Sequence, residues 1–239
     1  MRAAELVAET VRENPSAVIA LPTGETPKGM YAELGALHRA GLDFSGVTIF
    51  NLDEYVGLEA SSPLSYAYFM ARELYRGINV PESSRRIFDS MAADPEEECR
   101  RYDRAVEEAG GIDLAVVGIG RNGHIAFNEP ADALHVGSHV QALDRQTLEV
   151  NFEVGLRQMA EAGRPPIPRS KFPTHAMTMG FGPIMAAVRV LVLVTGSAKA
   201  EPMRRMLDGT VTTRFPASVL QLHRNCAVLA DERAAAGSR

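Results

Sequence analysis

Cysteine is scarce in this 239-residue sequence: only Cys99 and Cys226 occur, far apart and with no C-x-x-C pair. That spacing argues against a disulfide framework or a paired-thiol motif and leaves two reduced thiols of a cytosolic protein. Basic runs are missing too. The chain carries 25 Lys and Arg against 30 Asp and Glu, a net charge of −5. Nucleic-acid binding needs a concentrated cationic face, which is absent, whereas one small anionic ligand needs only a few donors. No stretch approaches the ~20 apolar residues of a membrane span. The opening Met1-Arg-Ala-Ala-Glu-Leu carries an acid too early for a signal peptide. The expectation is a cytoplasmic protein without a nucleic-acid or membrane partner.

Nearly half the residues, 46%, are apolar, enough for a sizeable core. Ala17–Leu21, Val47–Phe50, Leu114–Ile119 and Val188–Val194 are almost continuously apolar, and Cys226–Ala230 is a shorter run. Strands buried on both faces read this way, as in parallel sheets covered by helices. Between them, residues 1–13, 27–40, 64–76, 95–109 and 198–207 repeat Ala, Leu, Tyr and Met at helical spacing. Strand alternating with helix predicts a single α/β domain over 1–239, doubly wound and Rossmann-like, with a mostly parallel sheet and helices on both faces. Residues 144–175 resist the pattern. Pro165, Pro166, Pro168 and Pro173 exclude helix interior and central strand there, so a long irregular lid or insertion is expected. Residues 233–239 are expected to fray.

In a doubly wound sheet, ligands sit beyond the carboxyl ends of the strands. Three such ends are unusually polar. Pro22-Thr-Gly-Glu-Thr-Pro-Lys-Gly follows the first strand; its helix start would turn backbone N–H groups toward an anion, or it is an ordinary strand-to-helix turn. Glu25 fits an anion site only if its carboxylate points to solvent. Phe50-Asn-Leu-Asp-Glu-Tyr follows the second. No His or Cys cluster with ligand spacing lies near it, so no metal is expected, and Asp53 is left as helix N-cap or as base. Gly118-Ile-Gly-Arg-Asn-Gly-His-Ile-Ala-Phe-Asn-Glu-Pro leaves the central strand. His124 there is a residue type suited to proton shuttling, and Glu129, held extended before Pro130, is placed to orient it.

Together these segments resemble the glucosamine-6-phosphate deaminase (isomerase) family. The matching strings are Leu21-Pro-Thr-Gly-Glu-Thr-Pro, Asn51-Leu-Asp-Glu-Tyr-Val-Gly-Leu, Ser65-Tyr-Ala-Tyr-Phe-Met, Gly123-His-Ile-Ala-Phe-Asn-Glu-Pro, Thr195-Gly-Ser-Ala-Lys-Ala and Leu220-Gln-Leu-His. Their order holds over almost the whole chain. The resemblance implies a cofactor-free enzyme acting on a small amino-sugar phosphate, with homo-oligomerisation left open. His124 would open the sugar ring, tuned by Glu129 and Asn122. Asp53 would take the proton from C2, giving a cis-enediol-type intermediate, and the 2-amino group would leave as ammonia. Thr23, Gly24, Thr26 and Lys199 would cradle the phosphate.

Three departures stand out. Asn122 occupies a place where the family often has Asp, so it brings no negative charge to His124. Glu153 stands where a mobile lid commonly supplies an Arg for the phosphate, so a base from the Pro-rich stretch is expected instead, with Arg164 and Arg169 as candidates. Ser138-His-Val-Gln-Ala lacks the basic pair of allosterically activated members, which predicts hyperbolic kinetics. Ala162-Gly-Arg-Pro and Leu143-Asp144 look closer to the galactosamine-6-phosphate branch. A 6-phosphogluconolactonase-like hydrolase would carry different residues after Gly-His. A sugar-phosphate-sensing regulator would need a helix-turn-helix, for which residues 1–16 leave no room.

Overall fold

In the computed structural model, which describes residues 2–236, strands and helices alternate along nearly the whole chain. The main sheet contains β1 (Val18–Leu21), β2 (Thr48–Asn51), β4 (Arg85–Arg86), β5 (Leu114–Gly118), β8 (Arg189–Val194) and β9 (Cys226–Ala230). Its order is β4-β2-β1-β5-β8-β9, and every pairing is parallel. All five apolar runs of the sequence fall in it. Helices α1 (Arg2–Glu13), α2 (Lys28–Arg39), α4 (Pro95–Glu108), α7 (Ala200–Asp208) and the short α6 (Phe181–Ala186) flank the strands. The stretch expected to be one helix over 64–76 divides into α3 (Tyr66–Met70) and a wider π turn, Ala71–Tyr75.

Period-two geometry sends alternate strand residues to opposite faces, and both faces are buried. Ile19, Leu21, Ile49 and Val116 pack with Val7, Tyr31, Leu34 and Phe69 on one side. Ala20, Phe50, Val117 and Val192 pack with Tyr102, Met203 and Phe215 on the other. From β1 the chain winds outward through β2 to β4, then returns to β5 and winds the other way. The strand order therefore reverses between β1 and β5, and the crevice beyond their carboxyl ends is the ligand position of such sheets.

Two features depart from expectation. A second sheet, β3 (Asp53–Tyr55), β7 (His175–Thr178) and β6 (His139–Ala142), is antiparallel in the order β3-β7-β6. Residues 144–175, expected to be irregular, begin with the 17-residue helix α5, Arg145–Glu161. Asp144 caps it by accepting from the Thr147 N–H at 2.7 Å. Tyr55, Leu64, Phe127, Met159, Phe172 and Ala176 form a third cluster beneath it. Only the proline-rich part after Gly163 lacks regular structure, apart from a short turn at Arg169–Lys171. The expected frayed tail is also corrected in part: Asp231 caps α8, Glu232–Ala235, which buries Ala234, while residues 237–239 lie outside the described residues.

Candidate active site

The crevice beyond β1 and β5 is a cleft of about 180 Å³ whose lining includes Thr23, Gly24, Thr26, Asp53, His124 and Lys199. Six residues singled out in the sequence from four separate segments thus meet at one point. Asn122 and Glu129 stand behind His124, as described below.

Asp53 starts β3 just after Leu52, where the chain leaves the main sheet for the small one. It is 7% exposed, and its buried Oδ1 has no hydrogen-bond partner. Burial first, and the neighbouring Glu54 second, push its carboxyl up to about 8. Glu54 does different work. It accepts the N–H groups of Tyr55 at 2.8 Å, Tyr66 at 3.0 Å and Ala67 at 2.9 Å, which pins the start of α3. Burial pushes its carboxyl up to about 7 against the pull of those donors. The acid pair therefore divides into one anchor and one group free to react. The N-cap reading of Asp53 does not apply, since Ser65 caps α3 by accepting from Tyr68 N–H at 3.0 Å.

His124 lies in a loop shaped by two glycines. Gly123 has φ +88°, and a Cβ there would strike the buried Phe215 ring at 2.3 Å. A Cβ on Gly120 would strike the His124 ring itself at 2.4 Å. Glycine at 120 thus lets the backbone close against the imidazole. Glu129 Oε2 is 3.4 Å from His124 Nδ1 and accepts from Asn122 Nδ2 at 2.6 Å. Thr147 Oγ1 donates to Glu129 Oε1 at 2.7 Å, and the Asn122 amide also reaches Asp144. Burial opposes charge on Glu129, but the hydrogen bonds from His124, Thr147 and Asn122, together with the His124 charge, hold its carboxyl down at about 2. Asn122 Oδ1 accepts the His124 backbone N–H at 3.2 Å, so Asn122 braces the loop and the carboxylate rather than the ring.

In the loop after β1, Glu25 is exposed and pairs with Lys28 at 2.8 Å, and it also lines the cleft. Thr26 Oγ1 lies 3.0 Å from Thr195 Oγ1, tying this loop to the end of β8. Beyond β8, Lys199 Nζ donates to the Ile119 carbonyl at 2.7 Å. Burial, and then the nearby Arg121, lower its ammonium to about 8.

The structure does not bring Arg164 and Arg169 to this cleft. Both follow the far end of α5, where Glu161 reaches Arg72. Arg169 lies 3.7 Å from Glu149 and over the Phe152 ring, so its charge is engaged on the outer side of α5. What α5 turns toward the cleft is Asn151, whose buried Nδ2 has no hydrogen-bond partner. Asn151, Thr147 and Tyr66 escaped the sequence reading. The one available signal was the Asp144–Thr147 cap followed by Leu148, Phe152 and Met159 at helical spacing.

Two buried carboxyls and a histidine gathered at the switch point of a doubly wound sheet, beside a threonine-rich loop, define the class: an α/β enzyme fold with its cleft at the switch point. The family model described as glucosamine-6-phosphate isomerases/6-phosphogluconolactonase matches residues 1–139. The chain is 43% identical over 236 residues to a glucosamine-6-phosphate deaminase of Clostridium perfringens, covering 98% of this chain and 92% of that one. It is 40% identical to glucosamine-6-phosphate deaminase 1 of Bacillus subtilis, again covering 98% and 92%. A solved structure of a monomeric glucosamine-6-phosphate deaminase superposes with a TM-score of 0.91 at 39% identity, covering 99% of this chain and 94% of that one. A 6-phosphogluconolactonase from Trypanosoma brucei, at 22% identity and a TM-score of 0.71, shares the fold. The chain belongs to the glucosamine-6-phosphate isomerase/6-phosphogluconolactonase family.

Proposed function

We propose that the protein converts glucosamine 6-phosphate and water into fructose 6-phosphate and ammonia, a hydrolytic deamination in cytoplasmic N-acetylglucosamine breakdown. The observation that carries this reading is Asp53. It is a buried carboxyl with an unpartnered oxygen, and it lines the same cleft as His124. Its high pKa makes it a strong base once ionised.

His124 moves a proton at the ring oxygen to open the sugar, and Glu129 keeps the imidazole in position. Asp53 then takes the C2 proton of the open aldose, leaving an enol at C1 and the amine on C2. A proton returned to C1 gives the C2 imine. Water adds to the imine carbon, ammonia leaves, and C2 becomes the ketone. Ring opening, the proton transfers, hydration of the imine and loss of ammonia are all acid–base steps with no external oxidant or reductant, so the sequence needs no redox group or metal. Thr23, Gly24, Thr26 and Lys199 hold the phosphate at the opposite end of the cleft, and α5 covers it.

Ammonia and fructose 6-phosphate are measured together on glucosamine 6-phosphate and, in parallel, on galactosamine 6-phosphate. Equal amounts of the two products from the gluco epimer are expected. Ammonia from the galacto epimer alone would move the assignment to that branch, and ammonia from neither would end the deaminase reading.

A further inference from the structure

A phosphate dianion shielded from water needs more than one fixed cation nearby, because hydroxyl and backbone donors leave much of its charge uncompensated. Lys199 supplies one. Helix α5, which covers the cleft, turns no charge into it: its cleft-facing Val150, Asn151 and Val154 are uncharged, and its Glu149, Glu153 and Arg157 line a separate outer hollow that Arg121 shares. The sequence places a second cation on another element. Arg121 stands in the β5 loop two residues after Ile119, whose carbonyl holds Lys199 Nζ at 2.7 Å. A side lobe of about 120 Å³ extends the cleft past His124, and Arg121, Lys199 and Asn151 all line it.

Several surface arginines are ion-paired, among them Arg101 with Glu98 at 2.6 Å, Arg104 with Glu97 at 2.8 Å and Arg204 with Glu201 at 2.8 Å. Arg121 is exposed and forms no ion pair among the described residues. Two acids of α5 line a surface hollow with Arg121: Glu149 is held by Arg145 at 3.1 Å and Arg169 at 3.7 Å, and Glu153 forms no ion pair with Arg121. The positive field of Arg121 falls on Lys199, and like charges are kept close where an anion is to be bound between them.

We propose that Arg121 is a substrate-binding residue that closes on the phosphate from the β5 loop, opposite Lys199, and so provides the guanidinium that α5 does not. An arginine fork binds two phosphate oxygens at once, which Lys199 cannot do. The inference rests on the deaminase reading for the identity of the ester, but not for the presence of an anion site.

Three proteins decide it: wild type, Arg121→Ala and Arg121→Lys. Inorganic phosphate is the first probe, read as thermal stabilisation and so independent of turnover. Arg121→Ala should weaken phosphate binding roughly ten- to hundredfold, and Arg121→Lys should recover part of the loss. With glucosamine 6-phosphate, Arg121→Ala should raise KM by a similar factor and leave kcat near wild type, the pattern of a contact made equally in the ground and transition states. Phosphate binding and KM both within about twofold of wild type in folded Arg121→Ala would overturn the proposal. Should wild type release no ammonia while phosphate still stabilises it in an Arg121-dependent way, the deaminase reading fails and the anion site stands.

Discussion

Asp53, just past β2, and Glu129, in the loop after β5, stand at the carboxyl edge of one sheet and are equally buried, each 7% exposed. Yet Asp53 is pushed up to about 8 and Glu129 held at about 2. Burial disfavours charge on both, so the difference lies in their partners. Asp53 has an oxygen that meets no donor and an acid neighbour, whereas Glu129 is met by Thr147, Asn122 and His124. Two carboxyls at one cleft thereby take opposite roles: one is a base held in reserve and the other a fixed anion that orients an imidazole. Environments that push paired groups apart are how acid–base sites assign their roles.

The sharpest way to break this contrast is to remove the charge of Asp53. Asp53→Asn should lose turnover by several orders of magnitude, because nothing then accepts the C2 proton, while phosphate binding persists. Loss of C2 hydrogen exchange with deuterated water is the direct readout, and exchange retained in the variant would sink the role given to Asp53. The same substitution should stabilise the protein. A raised folded pKa means that the native state holds a proton the unfolded chain releases, so Asp53 costs stability progressively as pH rises from about 4 to about 8. Asp53→Asn removes that loss, and its melting temperature should exceed wild type by most near pH 8. In wild type, kcat/KM should climb with pH toward about 8 as the free enzyme's base ionises.

A finer probe displaces His124 without touching its chemistry. Gly120→Ala places a methyl 2.4 Å from the imidazole in the unrelaxed structure. The ring, whose Nδ1 faces Glu129, must leave its observed place to make room. Backbone φ at 120 is not in the left-handed region, so the fold should tolerate the change. Misplacement by about 1 Å is expected to reduce kcat roughly 10²-fold. Unchanged kcat would mean that the His124–Glu129 geometry does not govern the reaction.

These effects also mark how far the sequence could be read. The parallel sheet was legible because strands such as Val116-Val117 and Val190–Val194 are buried on both faces and so are apolar throughout. The antiparallel sheet was not. Asp53-Glu-Tyr and His175-Ala-Met-Thr show no period-two alternation, His139-Val-Gln-Ala alternates over only four residues, and the pairing between Asp53 and Thr178 spans more than a hundred residues of chain. Helix α5 was hidden by the prolines that follow it, although its own Leu148, Phe152 and Met159 are spaced as a helix. The site divides likewise. Asp53, His124, Glu129 and Lys199 are marked by short polar strings at strand ends. Thr147 and Asn151 arrive from a helix whose docking on Phe172 and Leu64 leaves no motif. The same docking carries Arg164 and Arg169 away.

The smallest expected effect tests whether charge or hydrogen bonding secures Glu129. Its folded pKa lies below the ordinary value of 4.5, so the native state favours the ionised form. The resulting stabilisation is fully present above about pH 4.5 and is lost as pH falls toward about 2. Glu129→Gln should therefore be less stable than wild type at neutral pH by a few kcal/mol, and the gap should close on acidification. Thr147→Val is the control. It deletes the 2.7 Å hydroxyl donor to Glu129 but leaves the carboxylate and the Asn122 amide. It should cost about 1 kcal/mol, and it should raise the Glu129 pKa only modestly. Most of the acid-dependent stabilisation would then survive in Thr147→Val and vanish in Glu129→Gln, as measured by denaturant unfolding from pH 7 down to pH 3. If the two variants trace the same pH dependence, the negative charge is not what the network holds. Glu129 would then be a neutral member of a hydrogen-bonded brace, and the contrast with Asp53 would be one of position alone.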